Sequence, residues 1–126
     1  MPALLNPTKT KILSASTLAG YRVRSTENED WGTIEELMID GSDGNIAFAV
    51  LSLGCFPGLA DKLLAVPWDL LTLNAHERVL VLKTDRETIQ SAPAFEQDDW
   101  PDFTDHAWGA AIKNHFATKQ YSYYED

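Results

Sequence analysis

The sequence predicts a small, mainly β domain, with about six antiparallel strands bent strongly into a barrel and short helices after them. Three observations carry this. Residues 46–53 and 78–82 are apolar on both parities of a strand, so both faces of the sheet need cover. Gly41-Ser42-Asp43-Gly44 is a hairpin turn, since glycine tolerates positive φ and Asp bonds its own backbone. After Lys83 the apolar spacing changes from that of strands to that of helices.

The elements follow in order. Residues 1–11 hold two prolines and no periodicity, and read as a loose arm. Residues 11–18 suggest a short strand and turn ending at Gly20. Residues 21–25 alternate Tyr21 and Val23 against Arg22 and Arg24, a strand with one wet face. Residues 33–40 form the next strand, but its pattern slips: Ile34 sits on one parity, Leu37 and Ile39 on the other. A one-residue bulge near Glu35-Glu36 would bring all three to one face; a regular strand half-buried on both faces is the alternative. The strand at 46–53 follows the hairpin turn. Residues 54–61 are a loop with Pro57 and two glycines, and 63–66 a short strand closed by Pro67, which lacks an N–H and belongs at a strand end or edge. Trp68, Leu70, Leu71 and Leu73 continue the core, 74–77 turn, and 78–82 is the last strand.

Beyond residue 83, Thr84 and Glu87 have the spacing of a capping box, and Pro93 ends the helix they begin. Residues 94–102 are an acidic, aromatic loop. Thr104 is a second N-cap candidate, with Asp105 suited to the positive end of the helix dipole. Trp108, Ala111, Ile112 and His115 recur at helical spacing with Phe116 adjoining, a helix of about 12 residues docking on the barrel. The organisation is therefore an arm (1–11), a β-barrel (12–83) and a helical, aromatic extension packing on it (84–126).

Composition excludes several roles. The formal net charge of -9 repels phosphate backbones and anionic lipid surfaces, so neither nucleic acid nor membrane is an expected partner. No run of about 18 apolar residues predicts a membrane span, and no secretory leader is evident. The single cysteine, Cys55, cannot form an internal disulfide, which fits a cytoplasmic location.

The strands of Gly32-Thr33-Ile34-Glu35-Glu36-Leu37-Met38-Ile39-Asp40 and Gly44-Asn45-Ile46-Ala47-Phe48-Ala49-Val50-Leu51, the loop Gly54-Cys55-Phe56-Pro57-Gly58-Leu59-Ala60-Asp61-Lys62 and the closing Ala65-Val66-Pro67-Trp68 together resemble the PRC-barrel family. The family is named for the cytoplasmic domain of the photosynthetic reaction-centre H subunit. The likeness covers roughly residues 12–116, and Ala92-Pro93, Trp100-Pro101 and Trp108 look like the extension of stand-alone bacterial members. It implies a strongly bent barrel used as an interaction or assembly module, with no catalytic residues to carry over. Cys55 and Pro57 depart from the usual Gly-Gly-Phe-Leu-Gly loop, so a partner read by that loop would meet a different shape.

Candidate chemistry is sparse. Cys55 is either a reactive thiol or, the favoured reading, a small buried filler, because the sequence places no cation beside it nearer than Lys62. His76, His106 and His115 with Asp98, Asp99, Asp102 and Asp105 have the ligand types for zinc or manganese but not the spacing. Ser14, Ser16 and Asp40 make no nucleophile motif, and no phosphate-cradling loop occurs. Trp100, Phe103, Trp108 and Phe116 read as a lid on the barrel, with Tyr121, Tyr123 and Tyr124 open to either packing or partner contact. The expectation is no enzyme, with no catalytic, metal or cofactor residues. A homodimer is expected to cover the two-faced strands, apolar burial contributing roughly 25 cal/mol per Å² before association costs. The leading function is a non-catalytic protein-interaction or assembly module with a heterologous protein partner; the alternative is an accessory domain for an electron-carrier or small-molecule system.

Overall fold

The structure, a computed structural model, describes residues 12–124, with side chains as far as Ala117. The arm at residues 1–11 and the side chains of Tyr121, Tyr123 and Tyr124 lie outside the described residues. The elements are α1 (Ala15–Leu18), β1 (Arg22–Ser25), β2 (Asp30–Ile39), β3 (Ile46–Ser52), β4 (Leu63–Pro67), a 3-10 turn (Trp68–Leu70), β5 (Leu71–Asn74), β6 (Val79–Leu82), α2 (Arg86–Ser91) and α3 (His106–Tyr124).

One six-stranded sheet runs in the order β4-β3-β2-β1-β6-β5. Two expectations are corrected. β1 and β6 pair in parallel, Val23 opposite Leu80, because the chain leaves one edge of the sheet at β4 and re-enters at the other with β5, so that β6 returns beside β1. Nor is the sheet closed into a barrel: β4 and β5 are its two edges and share no ladder. It is nevertheless strongly curled. Laid flat, five strand spacings would separate β4 from β5 by about 24 Å. The chain from Pro67 to Leu71 can reach at most roughly 14 Å, so the edges must bend toward each other.

The predicted bulge is present. The β2/β3 register slips between Ile34 and Glu36, which puts Ile34 opposite Leu51 and Leu37 opposite Ala49. Ile34 is buried and Leu37 packs against the core. A second slip between Met38 and Ile39 releases the strand end, and Ile39 is 56% exposed rather than on the core face. The hairpin turn forms as read: Asp40 accepts from the N–H and hydroxyl of Ser42 (2.9 and 2.7 Å), and Gly44 has φ +80°.

Local competition explains the remaining differences. Residues 15–18 form a helical turn, not a strand, because Ser14 caps it through the Thr17 N–H (3.1 Å). The cap of α2 is Asp85, not Thr84. Its carboxylate takes both the N–H and the hydroxyl of Thr88 (2.8 and 2.5 Å). At α3 the cap is likewise Asp105 rather than Thr104, accepting from the Ala107 N–H at 2.9 Å. Thr104 is bound instead by Asp102. α3 is 19 residues long, more than the short helix expected. Leu73, expected in the core, sits on the open edge strand and is 37% exposed.

The core gathers Val23, Ile34, Leu51, Leu64, Leu80 and Leu82 from the sheet with Ile89 of α2 and Ile112 and Phe116 of α3. The opposite face of β3 and β4 is covered too. Phe48 meets Phe103 and Trp108 at ring-centroid distances of 6.0 and 5.4 Å. Leu63 and Phe95 exchange backbone hydrogen bonds of 2.8 Å each way. Phe95, Trp100 and Phe103 pack on one another, so the aromatic loop is the lid the sequence suggests. Val50, Leu63 and Ala65 are therefore buried within one chain, which removes the need for a dimer to cover them.

Candidate functional site

The two sheet edges differ. β4 is occupied by the chain itself, through Phe95 at Leu63, and ends in Pro67, which has no N–H to offer. β5 pairs on one side with β6; on its other side the Leu71 N–H bonds the Trp68 carbonyl, and among the described residues no backbone bond is made at Leu73. Thr72, Leu73 and Asn74 are exposed there. An unpaired strand edge presents a row of backbone donors and acceptors that another strand can satisfy.

A groove of about 420 Å³ lies where the β2–β3 turn, the end of β4, the 3-10 turn and α3 converge. Its floor is apolar, with Ile46, Ala47, Leu70 and Phe116. Its rim carries Asp40, Asp43 and Asp69, with Lys113 across from them. Hydrogen bonds from the Ser42 hydroxyl and N–H hold the Asp40 carboxyl below the usual carboxylate range. The Lys113 ammonium lies over the Phe48 ring, 5.8 Å from its centroid.

A second cleft, of about 350 Å³, sits between the β1–β2 turn and α2. It is bridged by its own polar groups: Glu29 takes Arg86 Nη2 at 2.8 Å and Trp31 Nε1 at 3.2 Å, and Arg86 stacks over Phe56. These contacts tie α2 to the sheet.

Cys55 is exposed, not the buried filler expected. Its loop turns outward after β3, its N–H on the Trp31 carbonyl (3.3 Å). A cation does stand beside it: Arg22, already paired with Asp30, also interacts with the Cys55 sulfur. That neighbour comes from β1, too distant in sequence to be foreseen. Lys62 instead pairs with Glu96.

The histidines are not brought together. His76 lies in the β5–β6 turn and His106 at the start of α3, both exposed. His115 is half-buried, its Nε2 2.9 Å from the Thr88 carbonyl, where it joins α3 to α2. Asp102 is spent on Thr104, whose hydroxyl and N–H lower its pKa, and Asp105 caps α3. Among the described residues no three His, Cys, Asp or Glu side chains are placed to hold a metal. Ser14 caps α1, and Ser16 sits beside it (3.3 Å), far in role from any nucleophile. No described helix is long and apolar enough to cross a membrane. Asp43, Asp69 and Lys113, which no motif singled out, come together through tertiary folding; the acidic balance was the only hint of them.

Comparison with known proteins agrees with the fold. A family model described as PRC-barrel domain matches residues 11–89, more than half of the chain. The match ends within α2 and leaves the aromatic loop and α3 outside it. No curated protein matches.

Proposed function

The chain belongs to the PRC-barrel family, and from that premise we propose that it is a non-catalytic protein-interaction or assembly module. The observation that supports this reading is the contrast between the two edges of the sheet. One is bridged at Leu63 by the chain's own Phe95 and ends in Pro67, whereas β5 exposes Leu73, whose outer backbone makes no hydrogen bond among the described residues. A partner's extended segment adds to such an edge by backbone hydrogen bonds, with alternate side chains giving selectivity.

A heterologous strand suits the edge better than a second copy. Four residues of β5 against themselves fall well short of the roughly 1,200 Å² of a stable interface. Two chains each carrying a net charge of -9 also repel. Light scattering at micromolar concentration is expected to give a monomer; a dimer restores the second-copy reading. Affinity capture from the source lysate tests the module itself. Wild type is expected to retain a defined protein that Leu73→Lys loses, since a lysine on an edge strand blocks strand addition while leaving the core untouched. Identical captured sets from both baits would sink the edge reading.

A further inference from the structure

We propose that the β4 edge is a second docking edge, held under a cover made by the chain itself, and that its partner is an extended segment in which an aromatic residue precedes an acidic one. The cover is the stretch that follows α2, with Phe95 and Glu96 at its centre. This rests on the interaction-module reading and adds a covered edge to the open one at Leu73.

The β4 edge lacks part of its strand partner. In the β3/β4 ladder the Leu53 N–H bonds the Lys62 carbonyl, so alternation turns the backbone groups of Leu63 and Ala65 away from β3. Phe95 satisfies Leu63, giving and taking a bond of 2.8 Å. Ala65 is 1% exposed, and its outward N–H and carbonyl bond nothing among the described residues. A buried peptide group without a partner is costly, and a strand continued along β4 would satisfy it. The chain's own segment cannot continue. Its register carried two residues back sets Pro93 against Ala65. Proline has no N–H, and the chain turns there, with the Ala94 N–H on the Ala92 carbonyl at 2.9 Å.

The cover is also lightly held. Ile89 and Ile112 are fully buried anchors, whereas every residue from 90 to 111 is at least partly exposed. Lys62–Glu96 is a largely exposed ion pair, of the kind that adds little. Glu96, Asp98, Asp99, Asp102 and Asp105 repel one another along the same short stretch. Segments with so few buried contacts open locally, well below the cost of global unfolding. The occupant's chemistry is read from what sits there now. It needs an aromatic residue opposite Leu63, an acid for Lys62, and a residue other than proline two places before the aromatic, to bond Ala65.

The test is amide exchange and peptide titration of the isotopically labelled full chain by NMR. The Leu63 and Phe95 amides are expected to exchange together, at least about 100-fold faster than that of Leu64, whose N–H faces Leu51 inside the ladder. The peptide acetyl-Ala-Val-Ala-Phe-Glu-Gln-amide repeats residues 92–97 with valine in place of Pro93. It is expected to shift residues 62–66, and to bind at least about fivefold more tightly than its proline form through the added bonds at Ala65. Phe95→Ala loosens the cover and is expected to bind the valine peptide about tenfold more tightly than wild type does, which a purely structural role for Phe95 would not produce. A Leu63 amide as slow to exchange as that of Leu64 overturns the inference. So do equal affinity for the two peptides, equal binding by wild type and Phe95→Ala, and shifts confined to residues 71–74. If neither peptide binds while Leu73-dependent capture persists, the covered edge falls and the module reading stands.

Discussion

Gly32 is the position where one added carbon should cost most. It lies in β2 with φ +157°, opposite Val23. A Cβ built there would sit 1.8 Å from the Ser52 carbonyl oxygen, 2.9 Å from its carbon and 3.2 Å from Leu53 Cα. All three are backbone atoms of the neighbouring segment, so no rotamer change relieves the overlap. β2 must move off β3 where Thr33 faces Ser52, or the carbonyl must rotate out of place. Overpacking a tight site costs about 1–3 kcal/mol, and holding a non-glycine residue in such a backbone region about 1–3 kcal/mol more. Gly32→Ala is therefore expected to destabilise by about 4 kcal/mol, a large share of the roughly 5–15 kcal/mol of a typical domain. At about 4 °C per kcal/mol for this size, the midpoint of thermal unfolding should fall by roughly 16 °C. Urea unfolding followed by tryptophan fluorescence measures it directly, with the adjacent Trp31 buried and well placed to report. Gly54→Ala is the control: nothing lies within 4 Å of its Cβ, so it should change stability by about 1 kcal/mol or less. A Gly32→Ala protein within about 1 kcal/mol of wild type would refute the close-approach reasoning.

Three further outcomes follow from the same geometry. Asp85→Ala should cost about 1 kcal/mol through loss of the α2 cap, whereas Thr84→Val should be neutral or stabilising, because the buried Thr84 hydroxyl finds no hydrogen-bond partner among the described residues; urea midpoints compare them. Asp40 and Asp102 have folded-state pKa values depressed by hydroxyl and N–H donors. Their contribution is present above the ordinary carboxylate range and is lost as pH falls from that range through the depressed values. Asp40→Asn/Asp102→Asn should therefore show a flatter loss of stability over that window than wild type in acid titrations of the unfolding midpoint. Cys55 is exposed, so a maleimide should label the folded chain quantitatively without denaturant, as read by mass spectrometry.

Much of the local structure was legible in the residues. The GSDG turn, the slip at Glu35-Glu36, the helix stop before Pro93 and the two-faced strand at β3 each follow from chemistry within a few residues of the chain. Cap choice was less legible, because Thr84 and Asp85, or Thr104 and Asp105, differ by one position and compete for the same N–H groups; the carboxylate wins both. The acid-rimmed groove was not legible at all, since its walls come from the β2–β3 turn, the β4 end and α3.

What the sequence determined by itself was where the chain is extended, where it turns, and that its strands need cover on two sides. Only the tertiary structure decided which strands neighbour each other, that β1 and β6 run parallel, that Phe95 bridges the β4 edge at Leu63 while Leu73 of β5 is exposed, and that Cys55 faces solvent. Turns and alternation are settled by steric and hydrogen-bonding preferences between near neighbours. Strand order and exposure depend on which distant segments bury the most apolar surface together, and many partners offer nearly the same local fit.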